Sequence, residues 1–481
     1  MYRLRLISGM LTALLLTACG DNGLTTIDDE KQAGVKAAQQ FEEQIGIYPA
    51  EFLTTYVDAV GRRLISGLGT TPYYFRFKVI DQATPNAFAT PGGYIYLSRG
   101  LLALINTEDE LAGILAHEII HITQGHQARQ TKRSVVPGIM TMPGRAIGKV
   151  VGEDIGQTIN TPIEAVGRAY SASYGLSEES EADRLGMQLA ARAGYDPMAL
   201  ATALYNLERT ITLLAGIQPE ASFFNSHPTT PTRIAAIKQE AMSISWTPAQ
   251  PFAQNQQALL DRLDGLTWGA DNPMQGIVRG RQFMQVDMDF SITFPDGWNA
   301  VNTPIFVGAF APDNQALVIL GSAENPGPAA QLAATFIEAL RTKADIMPAE
   351  ARPVELDAGP AYLVRIEDVS GAQPASIYYL WVNTRNTTFR FIAVGEDSFR
   401  DQLRDTVLSL RNLTTEEKAS IVDDRIRLVT ANTGESILEL SARTDNKFPP
   451  ELTAALNGLP TNAILEQDQL IKILRREPYL R

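Results

Sequence analysis

Apolar residues recur at helical spacing near the start of the chain and then give way to strand-like runs. From residue 27 to residue 69 they form two helical blocks separated by Tyr48-Pro49, which predicts a helical hairpin. Residues 73–80 are dense in aromatic and β-branched side chains, and the run 86–98 has a tight-turn sequence, Pro91-Gly92-Gly93, at its centre. These two segments predict a small β-sheet after the hairpin.

Helical patterning resumes at Thr107. Thr107 and Glu110 have the spacing of a capping box, and the acidic residues between them favour the positive end of a helix dipole. We therefore expect a helix of roughly 20 residues from this point. The helical pattern returns at 178–193 and starts again after Pro197 and after Pro231.

The second half of the chain has a different pattern. Past Asp261, alternating strands with one intervening helix predict a separate α+β domain at 270–413, and the last segment, 425–475, has the order of a βααβ unit. The predicted fold class is therefore α+β and multidomain. It consists of a mainly helical domain with a small β-sheet at 27–250, the α+β domain and the small βααβ module.

Residues 131–170 are rich in Gly, Pro, Val, Ile and Met and have weak periodicity. The simplest interpretation is a long surface loop. The apolar content favours a segment that packs over something, such as a lid or a membrane-proximal flap.

Composition narrows the function classes. The 481 residues carry a formal net charge of −13, and their number suggests about two to four domains. An acidic surface repels phosphate backbones, so we expect no nucleic-acid partner. One cysteine, Cys19, cannot form an internal disulfide bond. Three of the four histidines lie within ten residues of each other, which makes that segment the first candidate for chemistry.

The N-terminus has the layout of a secretory signal peptide, predicted at residues 1–18. Arg3 and Arg5 precede an apolar run that is too short to span a bilayer. The ending Leu16-Thr17-Ala18-Cys19 resembles the bacterial lipobox, which implies a lipid on Cys19 as a membrane anchor. Gly20 in place of Asp implies, by the same resemblance, outer-membrane sorting toward the periplasm. The alternative is a plain cleaved signal with an incidental cysteine.

The sequence His117-Glu118-Ile119-Ile120-His121 carries the candidate chemistry. Four residues turn a helix by about 400°, so the two histidines point to the same side and can share one Zn²⁺ per chain. Glu118 is rotated by about 100° and is placed to act as general base on water. His126, five residues past His121, is expected to face elsewhere as a non-ligand. The alternative is a chance match on an ordinary amphipathic helix.

A catalytic zinc needs a third protein ligand and an open fourth position. Glu178, Glu179, Glu181 and Asp183 lie together at the start of a later predicted helix. Such a cluster is usually a solvated first turn stabilised by the helix dipole. Glu179 and Asp183 share a face, however, which would let one carboxylate bind metal while the other supports a ligand histidine.

Three motifs together resemble a known family. They are NAFATPGGYIYLSRGLLALI, HEIIH, and Glu179 followed by Asp183. Over about residues 30–245 the chain resembles the gluzincin zinc peptidases, which include the HtpX-like, CAAX prenyl and BepA-like proteases. The resemblance implies that His117, His121 and Glu179 are zinc ligands, that Glu118 is the catalytic base, and that Asp183 supports the ligands.

The same resemblance implies a role for the strand near residue 86. Asn86, Ala87, Phe88 and Ala89 would belong to an edge strand that pairs with an extended substrate, a form of β-augmentation.

Ser226-His227-Pro228, with Arg233 following, is similar to an element of the BepA-like branch. There the histidine occupies the fourth zinc position and holds the enzyme shut. Without the resemblance, His227 is a turn residue and Arg233 a solvated helix residue. Arg233 is expected either to stabilise the developing oxyanion or to anchor the ligand carboxylate.

The segment 425–475 resembles a LysM module, which implies binding of N-acetylglucosamine chains and so of peptidoglycan. The alternative is an unrelated small α+β cap. The domain 270–413 presents no candidate site, and its aromatic residues are expected in its core.

The function expected is that of a zinc endopeptidase of the bacterial periplasm that degrades misfolded or misassembled envelope proteins. A second hypothesis is a peptidoglycan-tethered chaperone or assembly factor with a latent zinc site gated by His227. Hydrolysis of peptidoglycan is the weaker third hypothesis, because the zinc motif belongs to peptide-bond gluzincins.

Overall fold

The structure is a computed structural model, which describes residues 26–126, 174–214, 223–249, 256–270, 272–312, 315–323, 325–368 and 374–479. These residues form helices and several separate sheets, in agreement with the α+β class. The predicted signal peptide with Cys19 and the predicted lid at 131–170 lie outside the described residues. None of the described helices is both long and apolar enough to cross a bilayer.

The first part of the chain combines helices with a three-stranded sheet. Its helices are α1 Ile27–Gln44, α2 Glu51–Ser66, α3 Arg99–Leu102, α4 Glu108–Thr123, α5 Leu176–Arg192, α6 Ala199–Leu214, α7 Phe223–Ser226, α8 Pro231–Ala241 and α9 Gln256–Leu263, and its strands are β1 Arg76–Ile80, β2 Ala87–Thr90 and β3 Tyr94–Ser98. The strand order is β1-β3-β2, with β1 parallel and β2 antiparallel to β3. Gly92 and Gly93 both have positive φ in the β2–β3 turn, which explains the glycine pair.

Helix α4 runs through the centre of this part. Its residues from Glu110 to Ile122 are all buried, so the helix is enclosed by protein on every side. The Thr107 side chain accepts a hydrogen bond from the backbone N–H of Glu110 at 3.1 Å. The Glu110 carboxylate accepts instead from the N–H of Asn106 at 2.7 Å, so only half of the predicted capping box forms.

Two glycines allow neighbouring helices to approach α4. A methyl group added at Gly186 of α5 would lie 3.1 Å from the backbone nitrogen of His117. One added at Gly113 of α4 would lie 3.1 Å from the Cα of Leu200 in α6. The close approach of α5 brings its first turns beside the histidine face of α4.

The middle of the chain is a mainly antiparallel β structure with helices on both faces. One sheet consists of three strands, β4 Ile277–Arg279, β5 Gln282–Gln285 and β6 Phe290–Thr293. A larger sheet consists of seven strands, β7 Asn299–Asn302, β8 Phe306–Phe310, β9 Ala316–Ser322, β10 Glu350–Leu356, β11 Gly359–Asp368, β12 Ala375–Asn383 and β13 Thr388–Glu396. Their order in the larger sheet is β10-β11-β12-β13-β9-β8-β7. Helix α10, Ala329–Ala339, packs on one face of the larger sheet, and α11, Arg400–Val407, packs on the other. Because successive side chains of a strand point to opposite faces, the larger sheet contributes to one apolar core on each of its faces.

The last part begins after α12, Thr415–Ser420. Strand β14, Val422–Thr430, and strand β15, Leu470–Pro478, pair antiparallel around α13, Ile437–Thr444, and α14, Pro450–Leu456. Apolar side chains of this module join the core of the helical part: Ile426, Phe448, Leu452, Leu456 and Leu474. The module is therefore packed onto the helical part.

Lys472 of β15 lies inside this interface. Its side chain is completely buried, and Nζ donates to the carbonyl oxygens of Ala103, at 2.8 Å, and Ile105, at 3.0 Å. These carbonyls belong to the segment that leads into α4. Burial lowers the pKa of Lys472 to about 7, and the nearby Glu110 carboxylate opposes that shift.

We expect Lys472 to make the free energy of unfolding rise with pH between about 7 and 10.5. In that window the unfolded lysine keeps its proton while the buried amine has released it, so unfolding takes up a proton. Below pH 7 both forms are protonated and the contribution is lost. The slope of the free energy of unfolding against pH that comes from Lys472 is at most about 1.4 kcal/mol per pH unit. Urea unfolding of wild type and Lys472→Met at pH 7 and pH 9 measures this pH dependence. An equal change in the free energy of unfolding of both proteins between the two pH values would contradict the prediction.

Candidate metal centre

Four buried side chains from three segments converge on one point. They are His117 and His121 of α4, Glu179 of α5 and His227 just after α7, with ligand atoms all within 4.8 Å of one another. Each is at most 1% exposed. Nε2 of His117 lies 2.9 Å from Nε2 of His121 and 3.2 Å from Nδ1 of His227. Three imidazoles and one carboxylate are a donor set that suits zinc.

The carboxylates of α5 separate into distinct roles. Glu178 accepts from the backbone N–H of Gly175 at 3.0 Å and so caps its own helix. Glu179 is fully buried, with Oε1 3.3 Å from Nε2 of His121 and 3.0 Å from Nδ1 of His227. The side chain of Glu181 is 40% exposed and reaches His126. Within the described residues, Glu179 is thus the carboxylate of this helix that joins the cluster.

Asp183 and Arg233 support the cluster from behind. Arg233 donates to both carboxylate oxygens of Asp183 at 2.7 Å, and its Nη1 lies 2.6 Å from Oε2 of Glu179. Oδ1 of Asp183 lies 3.0 Å from Nδ1 of His117, although the two groups are not well aligned for a hydrogen bond. Of the two roles expected for Arg233, these contacts favour the anchoring of the carboxylates.

The charges explain how two carboxylates stay ionised in a buried site. Burial on its own raises the pKa of Asp183, but Arg233 and His117 outweigh it and hold the pKa below its usual value. For Glu179, burial is likewise outweighed by His227 and His117, and the pKa is lowered well below its usual range. Burial lowers the pKa of His121, which keeps that ring neutral, as a metal ligand must be.

Glu118 borders the cluster but takes no part in the ligand set. Its side chain is fully buried, and among the described residues neither carboxylate oxygen accepts a hydrogen bond. Oε1 lies 3.3 Å from Nε2 of His227. Burial raises the pKa of Glu118, against the opposing charges of His227 and His117. A carboxylate that accepts no hydrogen bond from the described residues and has a raised pKa, beside a metal site, is suited to accept a proton from water.

His227 is positioned by the short helix before it. Its backbone N–H donates to the carbonyl of Phe223 at 2.9 Å, and the Phe223 ring stacks on the imidazole with centroids 4.5 Å apart. The N–H of Phe223 in turn donates to the carbonyl of Pro85, next to β2. Burial on its own lowers the pKa of His227, but Glu179 and Glu118 outweigh it and raise the pKa.

The prediction that His126 faces elsewhere is wrong. His126 is completely buried, and its Nδ1 lies 2.7 Å from Nδ1 of His121. The prediction assumed that the helix continues, but α4 ends at Thr123 and Gly125 adopts a left-handed φ of 65°. The reversal turns His126 back toward the ligands. The glycine directly before His126 was the sequence signal for this turn.

Strand β2 lies at the edge of its sheet. Residues 87–90 pair with β3 only, and no other described strand pairs with their second side. Asn86 precedes the strand, where its carbonyl accepts from the N–H of Ser98 at 2.9 Å. Pairing of a substrate along Asn86–Ala89 stays a prediction.

Comparisons with known proteins bear on the same part of the chain. Residues 51–241, which include all the cluster residues, match the family described as Peptidase family M48. The chain is 30% identical over 220 residues to the "Beta-barrel assembly-enhancing protease" of Escherichia coli (strain K12), which covers 45% of this chain and 44% of that protein. It is 27% identical to the "Mitochondrial metalloendopeptidase OMA1" of Schizosaccharomyces pombe, over 44% of this chain and 61% of that protein.

A third relative is the "Protease HtpX homolog" of Salinibacter ruber, 26% identical over 48% of this chain and 88% of that protein. The chain spans less than half the length of the first relative named above. Among solved structures, cyanobacterial PsbP from Synechocystis sp. PCC 6803 matches with a TM-score of 0.24 and 12% identity, over 30% of this chain and 98% of that chain. The matches to these peptidases confirm the resemblance to zinc metallopeptidases that the motifs predicted.

Proposed function

We propose that this chain, whose residues 51–241 belong to peptidase family M48, is a zinc-dependent endopeptidase acting on misfolded or misassembled proteins of the bacterial envelope. The observation that carries the proposal is the buried cluster of His117, His121, Glu179 and His227 with the carboxylate of Glu118 beside it, which accepts no hydrogen bond from the described residues. The relatives named for β-barrel assembly support the choice of substrate class.

In this mechanism zinc supplies Lewis acidity, which polarises a carbonyl and lowers the pKa of water. His117, His121 and Glu179 would hold it. Glu118 accepts the proton of the attacking water and delivers it to the nitrogen of the departing amine. Arg233 keeps the ligand carboxylate of Glu179 in place through an ion pair, and Asp183, which is paired with the same Arg233, faces Nδ1 of His117. An extended substrate pairs with the free side of β2 along Asn86–Ala89.

His227 supplies a fourth donor where a hydrolytic zinc site needs an open position. We take this arrangement as a closed form, which opens when the segment of α7 and His227 moves away from the ligands. The same observation favours the second candidate, a peptidoglycan-tethered chaperone or assembly factor whose zinc site stays latent. In either case Cys19 would carry a lipid anchor on the periplasmic side of the outer membrane, and the LysM-like module would contact peptidoglycan.

His227→Ala is expected to raise the rate of casein cleavage at least several-fold over wild type, because it frees one coordination position while three protein ligands remain. Both proteins are expected to contain one zinc per chain, and removal of zinc by a chelator should abolish cleavage until zinc is restored. Metal analysis and initial rates measure both quantities. Ser226→Ala, at the end of α7 directly before His227 but without an atom in the cluster, is the matched control.

Failure of zinc-loaded His227→Ala to cleave casein or unfolded envelope proteins would contradict the peptidase and favour the chaperone. Suppression of aggregation by the same protein would then support the second candidate directly.

A further inference from the structure

We propose that His126 and Glu181 are positioning residues that fix the tautomer and orientation of the zinc ligand His121. The inference rests on the proposed zinc site. Nδ1 of His126 lies 2.7 Å from Nδ1 of His121, and Nε2 of His126 lies 3.2 Å from Oε2 of Glu181. His126 is completely buried, whereas the side chain of Glu181 is 40% exposed.

The positions of the protons follow from the geometry. Nε2 of His121 faces the cluster, 3.3 Å from Oε1 of Glu179, so this nitrogen must keep its lone pair in order to bind a metal. The proton of His121 is then on Nδ1 and is donated to Nδ1 of His126. That nitrogen of His126 is therefore the acceptor, and the proton of His126 is on Nε2, where it is donated to Glu181. The neutral rings satisfy both contacts in this one arrangement.

The two ligand histidines of α4 are thus supported by two carboxylates in different ways. Nδ1 of His117 faces Asp183 directly at 3.0 Å. Nδ1 of His121 reaches Glu181 only through the imidazole of His126, which bridges the distance between a buried ligand and a carboxylate at the surface. A hydrogen bond such as that between His121 and His126 fixes the orientation of a ligand ring and raises the basicity of its metal-binding nitrogen.

The imidazole ring of His121 is also in stacking contact with a neighbouring aromatic ring. The ring of Tyr174 lies nearly parallel to that of His121, with centroids 3.7 Å apart and an interplanar angle of 20°. Stacking alone leaves the choice of the metal-binding nitrogen open, because it acts on the whole ring. The hydrogen bond to His126 makes that choice.

The test compares zinc affinity in full-length wild type, His126→Phe, His126→Asn and Glu181→Gln, by competition with a chromogenic chelator. His126→Phe keeps a ring but removes the acceptor, and we expect about 10- to 100-fold weaker zinc binding. His126→Asn places an amide oxygen where Nδ1 accepts, and should recover most of the affinity. Glu181→Gln should weaken binding less than His126→Phe. Ser180→Ala, one residue away on the exposed side of α5, should match wild type.

A second readout is the visible spectrum of the Co²⁺-substituted proteins, which reports ligand geometry without any reaction. It should change in His126→Phe and stay close to wild type in His126→Asn. Wild-type zinc affinity and an unchanged Co²⁺ spectrum in His126→Phe would overturn the proposal. Were that variant to misfold, equal zinc affinity in Glu181→Gln and wild type would overturn it. A wild-type protein that binds zinc but cleaves nothing contradicts only the proposed peptidase.

Discussion

Glu118→Gln is expected to lower the rate of peptide hydrolysis by about 10²- to 10⁴-fold, while the protein still binds one zinc per chain. The amide has nearly the shape of the carboxylate but cannot accept the proton of the attacking water. The zinc content should not change, because Glu118 lies outside the ligand set of His117, His121, Glu179 and His227.

The measurement is the initial rate of casein cleavage together with metal analysis. It is best made in both the wild-type and the His227→Ala background, so that opening of the site does not limit the rate. Asp109→Asn is the matched control on the same helix, since its oxygen can still accept from the backbone N–H of Asp196, a contact of 2.9 Å in wild type. Full activity in zinc-loaded Glu118→Gln would rule out Glu118 as the base.

Arg99→Met is expected to destabilise the protein by about 3 to 5 kcal/mol. The side chains of Arg99 and Asp81 are 2% and 1% exposed, and their Nε and Oδ1 atoms lie 2.6 Å apart. The other two guanidinium nitrogens donate to the carbonyls of Thr267 and Gly269, both at 2.9 Å. Methionine would leave a buried carboxylate without its cation and two carbonyls without their donors.

Chemical unfolding of Arg99→Met and wild type measures the difference. Arg341→Met is the control, because Arg341 and Glu338 form a pair in which each side chain is 59% exposed, so that solvent screens their interaction and its loss should change the stability little. Adding Asp81→Asn to Arg99→Met should recover part of the loss, since it removes the uncompensated charge. A loss below about 1 kcal/mol in Arg99→Met would contradict the importance of the buried pair.

Glu118 and Arg99 differ in how far the sequence alone could predict their surroundings. The position of Glu118 beside the two histidines was predictable because it depends on spacing within one helix, and helical geometry is local. Arg99 was not, because its partners are Asp81 and two carbonyls near residue 268, and nothing local indicates that an arginine after a strand will be buried. The peptidase family was equally accessible, since its motifs are short, contiguous and in a characteristic order.

The ligand carboxylate illustrates an intermediate case. Spacing showed that Glu179 and Asp183 share a helix face, and the family resemblance selected Glu179. The reason for that selection became visible only when α5 packed against α4 across Gly186, which brings Glu179 and Asp183 to opposite sides of His117. The contacts of Arg233 to both carboxylates then favour the anchoring role over the stabilisation of an oxyanion.

By itself, the sequence determined the helix that carries His117, Glu118 and His121, the metallopeptidase family and the acidic, single-cysteine character of the chain. These features depend on neighbours within a few residues or on composition. Only the tertiary structure decided the position of His126, the buried pair of Arg99 and Asp81, and the contact of Lys472 with the segment before α4. Each of these joins groups that are brought together by a chain reversal or by packing between distant segments, and the free energy of such contacts depends on burial, which no local pattern specifies.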